Sequence, residues 1–124
     1  MHRDTFMKTE LQIVWRGVEP STALAERIQH HVDELETTAQ DVRACRVVIE
    51  APHHHHRHGE HWAVKVELSS GAHFFAVTRD PPQHTNSEDA YAAVNEAFAT
   101  LGRQLHEQGA RRRAVARHER HTRA

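Results

Sequence analysis

Two stretches, Arg43-Ala44-Cys45-Arg46-Val47-Val48-Ile49-Glu50 and Trp62-Ala63-Val64-Lys65-Val66-Glu67-Leu68, decide the fold. Cys45, Val47 and Ile49 fall on one side of the first, and Trp62, Val64, Val66 and Leu68 on one side of the second. This period-two alternation marks half-buried strands, each needing apolar cover on a single face. Downstream, Ser69-Ser70-Gly71 has turn chemistry, and His73 to Thr78 reads as a further strand through Phe75 and Val77. Upstream, Leu11-Gln12-Ile13-Val14-Trp15-Arg16 alternates Leu11, Ile13 and Trp15 against Gln12 and Arg16, which predicts the first strand.

The cover comes from two helical patterns. Pro20-Ser21 opens one, with Ser21 as N-cap, and Leu24, Ile28, Val32 and Leu35 form a single apolar stripe that ends near Thr37. Arg79 to Asn86, with Pro81 and Pro82 inside it, is expected as a loop, since consecutive prolines stop ladders and helices alike. A second helix follows, capped by Asn86 or Ser87, with Glu88 and Asp89 suited to its positive end and Tyr91, Val94, Phe98, Leu101 and Leu105 as its stripe. Gly109 is the expected C-terminal stop. The order β-α-β-β-β-α predicts an α+β two-layer sandwich, two helices on one face of a four-stranded, mostly antiparallel sheet. The other sheet face would carry Gln12, Arg16, Arg46, Glu50, Lys65 and Glu67 into water. Residues 1–8 read as a flexible lead-in, with Met7 an alternative start, 9–108 as the domain, and 109–124 as an Arg-rich mobile tail.

A chain of 124 residues has room for one such domain, which excludes a multidomain enzyme. Its formal net charge of -1 conceals a gradient. Residues 103–124 hold seven Arg against Glu107 and Glu119, a balance of +5, and the remainder carries -6. A basic end on an acidic body suggests an anionic partner. Only two of the sixteen cations are Lys; Arg suits phosphate, and a base bias in the genome gives the same preference. There are also 14 His, whose ordinary pKa near 6.5 makes the charge balance depend on pH.

Cys45 is the sole cysteine, so an intrachain disulfide and a Cys-rich zinc site are ruled out, and a reducing cytoplasm is expected. Its inward position predicts a buried, inert thiol rather than a nucleophile. The pairs Glu34/Glu36 and Glu88/Asp89 sit at helix ends where solvation suffices, there is no Gly-rich phosphate loop, and Trp15 and Trp62 read as core. No apolar run is long enough to span a membrane. The sequence therefore predicts neither enzyme nor small-molecule substrate.

His53, His54, His55, His56, His58 and His61, with Arg57 among them, form a His-rich hairpin connection. They are candidate zinc or nickel ligands, although adjacent histidines on a hairpin tip lack the preset spacing and rigid frame of a structural site. A metal-binding protein using this loop is the alternative function. Contact with RNA phosphates or bases and a plain solvated loop compete for the same residues. The clustered Arg111, Arg112 and Arg113, with Arg117 beyond, could follow a nucleic-acid backbone by charge pairing and counterion release, or could simply solubilise a terminus.

Ser87-Glu88-Asp89-Ala90-Tyr91-Ala92-Ala93-Val94, running into Leu101-Gly102-Arg103-Gln104-Leu105, resembles the second helix of the hibernation-promoting factor and ribosome-associated inhibitor family, which includes the sigma-54 modulation and ribosomal subunit interface proteins. Val18-Glu19-Pro20-Ser21-Thr22-Ala23-Leu24 is similar to the family's first helix. Val47-Val48-Ile49-Glu50 and Lys65-Val66-Glu67-Leu68 resemble its central hairpin, and Ala51-Pro52-His53 to Gly59 a His-bearing branch. The resemblance covers about residues 10–108 in one register.

It implies a double-stranded-RNA-binding-domain-like fold, no cofactor, and a cytoplasmic protein lodged in the small ribosomal subunit near the decoding region. There it would block mRNA and tRNA sites and preserve idle ribosomes during stress or stationary phase. Without the dimerisation domain of the long forms, a monomer is expected. Basic positions usual in the family are here Ala25, His31, Glu34, Thr100, His106 and Glu107. The residues left to meet rRNA are Arg16, Arg27, Arg57, Lys65, Arg79, Arg103, Arg111, Arg112, Arg113 and Arg117. Binding to ribosomes should strengthen as pH falls from about 8 to about 6 if the His reserve takes part, and identical binding curves would remove it.

Overall fold

In a computed structural model, residues 9–39, 41–51, 62–71, 73–79 and 90–123 are described. The elements run β1 Glu10–Arg16, α1 Thr22–Thr38, β2 Val42–Glu50, β3 Ala63–Ser70, β4 His73–Arg79 and α2 Ala90–Arg123. This is the expected β-α-β-β-β-α order, and the strands form one sheet in the order β1-β2-β3-β4. The strand β1 is parallel to β2, as a helical crossover requires. The two hairpin-linked pairs are antiparallel.

Register sets the two faces. Leu11 lies opposite Cys45, Ile13 opposite Val47 and Trp15 opposite Ile49, and these positions continue across β3 as Leu68, Val66 and Val64. Val47, Ile49, Val66 and Leu68 are fully buried beneath Ile28 and Val32 of α1 and Val94, Ala97 and Leu101 of α2. Trp15, Trp62, Phe75, Tyr91 and Leu105 close the margins of this core as half-buried side chains. The expected stripes on both helices therefore face one sheet surface.

Local chemistry fixes the ends. The Ser21 hydroxyl accepts from the Leu24 amide at 3.1 Å, the N-cap bond that satisfies an otherwise orphaned helix donor. Asp41 takes a left-handed φ of 62°, which Asp tolerates better than most side chains, and Gly71 takes 61° in the β3–β4 turn. The two meet: the Gly71 amide donates to the Asp41 carbonyl at 2.9 Å, joining the entry of β2 to the far hairpin. A Cβ on Gly71 would stand 3.1 Å from an Asp41 carboxylate oxygen, so glycine there serves close approach as well as φ.

Two expectations need correction. Gly109 does not stop the second helix. Helix α2 runs for 34 residues, about 51 Å at 1.5 Å per residue, and takes residues 109–123 of the expected tail into one rod. A helical Gly costs only about 1 kcal/mol relative to Ala, whereas a C-cap needs the left-handed conformation that Gly109 does not adopt. The following Ala110-Arg111-Arg112-Arg113-Ala114 is rich in strong helix formers. Val48, secondly, is only 8% exposed although it lies on the outer sheet face, so that face is not wholly solvated.

Cys45 is buried in the central strand, and burial pushes its thiol from an ordinary 9.0 up to about 12. The unfolded chain releases this proton near pH 9 while the folded chain keeps it, so stability present below pH 9 declines above it by about 1.4 kcal/mol per pH unit. Urea unfolding at pH 8 and 10.5 should show wild type losing about 2 kcal/mol more than Cys45→Ala. Equal losses would mean that the thiol does not sense the core.

Candidate nucleic-acid interface

Cations occur on both layers, and their surroundings differ. On the outer sheet face the strand pairing places Gln12, Arg46, Glu67 and Ala76 in one row and Val14, Val48, Lys65 and Thr78 in the next. Glu67 stands between two cations. Its carboxylate oxygens lie 3.6 Å from Arg46 Nη1 and 3.3 Å from Lys65 Nζ. Arg16 pairs in register with Glu50 at the end of this face. With Glu10 on the same face, three acids match the three cations Arg16, Arg46 and Lys65, so among the described residues these strands offer a phosphate backbone no net positive charge there. Each exposed pair adds about 0–1 kcal/mol to stability, but the charge compensation acts fully on an incoming anion.

The helix layer uses its polar side chains to join α1 to α2. The Arg27 guanidinium lies 5.5 Å from the centre of the Tyr91 ring and donates from Nη1 to Asn95 Oδ1 at 3.4 Å. The same oxygen is 2.7 Å from His31 Nε2, and the His31 ring stacks on Phe98 at 4.8 Å with planes 6° apart. His31, where the family resemblance expects a basic side chain, is thus half-buried and committed to helix packing. His30 pairs with Glu34 at 3.2 Å one turn on. Arg103 is exposed and donates from Nη2 to Thr100 Oγ1 at 3.2 Å.

The C-terminal part of α2 has a different character. Residues 110–119 are all exposed, so Arg111, Arg112, Arg113 and Arg117 lie on a part of the helix that takes no share in the core. Val115, 56% exposed, is the large apolar side chain there. Sequence reasoning counted these arginines correctly but gave them no frame. The missing signal was the run of Ala and Arg helix formers beyond Gly109.

Among the described residues, the expected interface side chains consequently do not form one patch. Arg16 and Lys65 lie on the sheet, Arg27 and Arg103 on the helix layer, and Arg111, Arg112, Arg113 and Arg117 on the rod. Arg79 ends β4, with its backbone alone described. Arg57 and the candidate metal ligands His53, His54, His55, His56, His58 and His61 lie outside the described residues, as do the proline loop and the N-cap of α2. Among the described residues no group of three or more His, Cys, Asp or Glu could hold a metal ion, and no helix is long and apolar enough to cross a membrane.

Residues 11–113 match the family model of the sigma 54 modulation protein / S30EA ribosomal protein, a span that runs from the second residue of β1 through α1, β2, β3 and β4 and along α2 as far as the first three arginines of the rod. The chain belongs to this family. Its fold is similar to that of a ribosomal subunit interface protein from Coxiella burnetii, with a TM-score of 0.64 at 14% identity over 82% of this chain and 99% of that one. It is also similar to the N-terminal domain of Protein Y from Thermus thermophilus, with a TM-score of 0.62 at 16% identity over 79% and 96% of the two chains. At such identities the likeness establishes the fold. No curated protein sequence matches. The family is one of ribosome-associated factors rather than known enzymes, and so the resemblance seen in the α2 and central-hairpin motifs is borne out.

Glu67→Gln should release Lys65 and Arg46 and turn the neutral sheet face cationic. Filter binding to RNA across a salt series should then show tighter association and a steeper salt dependence, by up to about 0.7–0.9 for each further phosphate neutralised. Unchanged slope and affinity would place the sheet face away from RNA.

Proposed function

We propose that this protein is a ribosome-associated hibernation factor that binds the rRNA of the small ribosomal subunit near the decoding region and inhibits translation during stress or stationary phase. The supporting observation is membership of the S30EA family over residues 11–113, the whole sandwich together with the start of its basic rod. The role is steric and electrostatic. The protein acts in the cytoplasm as a monomer, occupying a site that mRNA and tRNA would otherwise take, with no bond made or broken and no cofactor.

The charge layout says how such binding would proceed. The acidic body is repelled by phosphate, while the rod attracts it, so the molecule approaches with the C-terminal half of α2 leading. Arginines at this end also oppose the negative pole of the helix dipole, which favours the helix before any partner is met. A preformed helix avoids the ordering cost that a disordered basic tail would incur on binding. Each phosphate met by an arginine releases condensed counterions, the dominant source of affinity for so polar a surface. Folded rRNA would be recognised by shape and backbone rather than by reading base pairs.

The protein should co-sediment with ribosomes at low salt and leave them as salt rises; remaining at the top of the gradient at both salts would falsify the proposal. Deletion of residues 110–124 should weaken binding by an order of magnitude or more and flatten the salt slope by roughly 0.7–0.9 for each phosphate left unneutralised, with the melting temperature of the sandwich nearly unchanged. Unchanged affinity would make the rod a bystander.

A further inference from the structure

Where α2 passes the β3–β4 turn, a groove of about 1000 Å³ opens between the helix, that turn and the end of α1. Its volume lies at the upper end of the range of small-ligand sites, about 300–1,000 Å³. Arg112 and Arg113 line it from α2, and His73 and Phe75 line it from β4. Asp41 is the acid in its wall, and Asp41 Oδ1 is already engaged by Arg43 Nε at 3.2 Å. The groove thus offers positive charge on one side and two aromatic rings on the other.

The rings are held in place. His73 and Phe75 are 6.3 Å apart between centroids, tilted by 48°, and His73 Nε2 lies 3.4 Å from Gln108 Nε2 of α2. Phe75 is half-buried against the core, and His73 is exposed beside it. Gly102 lines the same space, and a Cβ built there meets no atom within 4 Å. The helix surface therefore recedes where a ligand would enter.

We infer that this groove holds a single-stranded stretch of RNA, its phosphates against Arg112 and Arg113 and one splayed base against His73 and Phe75. The inference rests on the ribosome reading above and gives that reading a specific contact. Single-stranded RNA is the ligand class that brings an anionic backbone together with unstacked base faces, and aromatic side chains accept such faces with little regard to sequence. A duplex keeps its bases stacked inside and presents no face to His73.

The test uses the full chain and a short fluorescently labelled oligouridylate, with binding followed by anisotropy. Gly102→Leu fills the groove without changing charge, and Leu favours a helix interior over Gly, so α2 should persist by circular dichroism. Gly102→Leu should weaken binding by roughly tenfold or more, the loss expected when aromatic stacking is blocked. Arg112→Ala with Arg113→Ala should lower the salt slope by roughly 1.4, from two single-strand phosphates at about 0.7 each. Arg111→Ala with Arg117→Ala removes equal charge outside the groove and should cost clearly less.

Wild-type binding too weak to measure, a Gly102→Leu curve matching wild type, or equal losses from the two arginine pairs would each overturn the inference. Ribosome co-sedimentation of the wild type runs alongside. If co-sedimentation fails while the oligouridylate still responds to Gly102→Leu, the ribosome reading falls and the groove stands; the opposite pattern removes the groove alone.

Discussion

The register of β2 against its two neighbours is the constraint on which everything else depends. This strand pairs parallel with β1 on one side and antiparallel with β3 on the other, so its alternation fixes the faces of the whole sheet. A slip of one residue would turn Cys45, Val47 and Ile49 into water and bring Arg46 and Glu50 beneath the helices. The apolar side chains on one face forbid that slip. With it forbidden, α1 and α2 have one surface on which to lie, and the cations are sorted into those held by the sheet, those held between helices and those on the projecting rod.

The sorting matters more than the number of cations. Lys65 and Arg46 share a carboxylate, and Arg27 is held between Tyr91 and Asn95. These arrangements consume directionality as well as charge, since a guanidinium fixed by one partner presents fewer free donors to another. The rod is arranged in the opposite way: Arg111, Arg112, Arg113 and Arg117 occupy exposed positions on a helix segment that takes no part in the core.

Strand alternation and helix stripes were legible because burial acts on residues close in sequence. Leu24, Ile28, Val32 and Leu35 pack as their spacing predicts, and Ser21 caps as its chemistry predicts. The pairing of Glu67 with Lys65 and Arg46 needed the register as well as the residues. So did His31, whose stacking partner Phe98 lies 67 positions away on another helix. Gly109 misled because glycine is a strong stop only where the chain can reach a left-handed cap; inside a run of Ala and Arg, continuing the helix costs less. The groove beside α2 was invisible for the same reason, since it exists only because the helix goes on.

That continuation has a bearing on how the sequence can change. Residues 110–119 are exposed and contribute nothing to the core, so substitution there leaves the folding equilibrium of the sandwich almost untouched. Selection can therefore add or remove an arginine on the rod in single steps, each altering affinity for an anionic partner without risking collapse of the protein that carries it. Positions such as Val47 or Leu101 have no such latitude. The long helix thereby separates the part of the chain that must be conserved to fold from the part that can drift to match its partner.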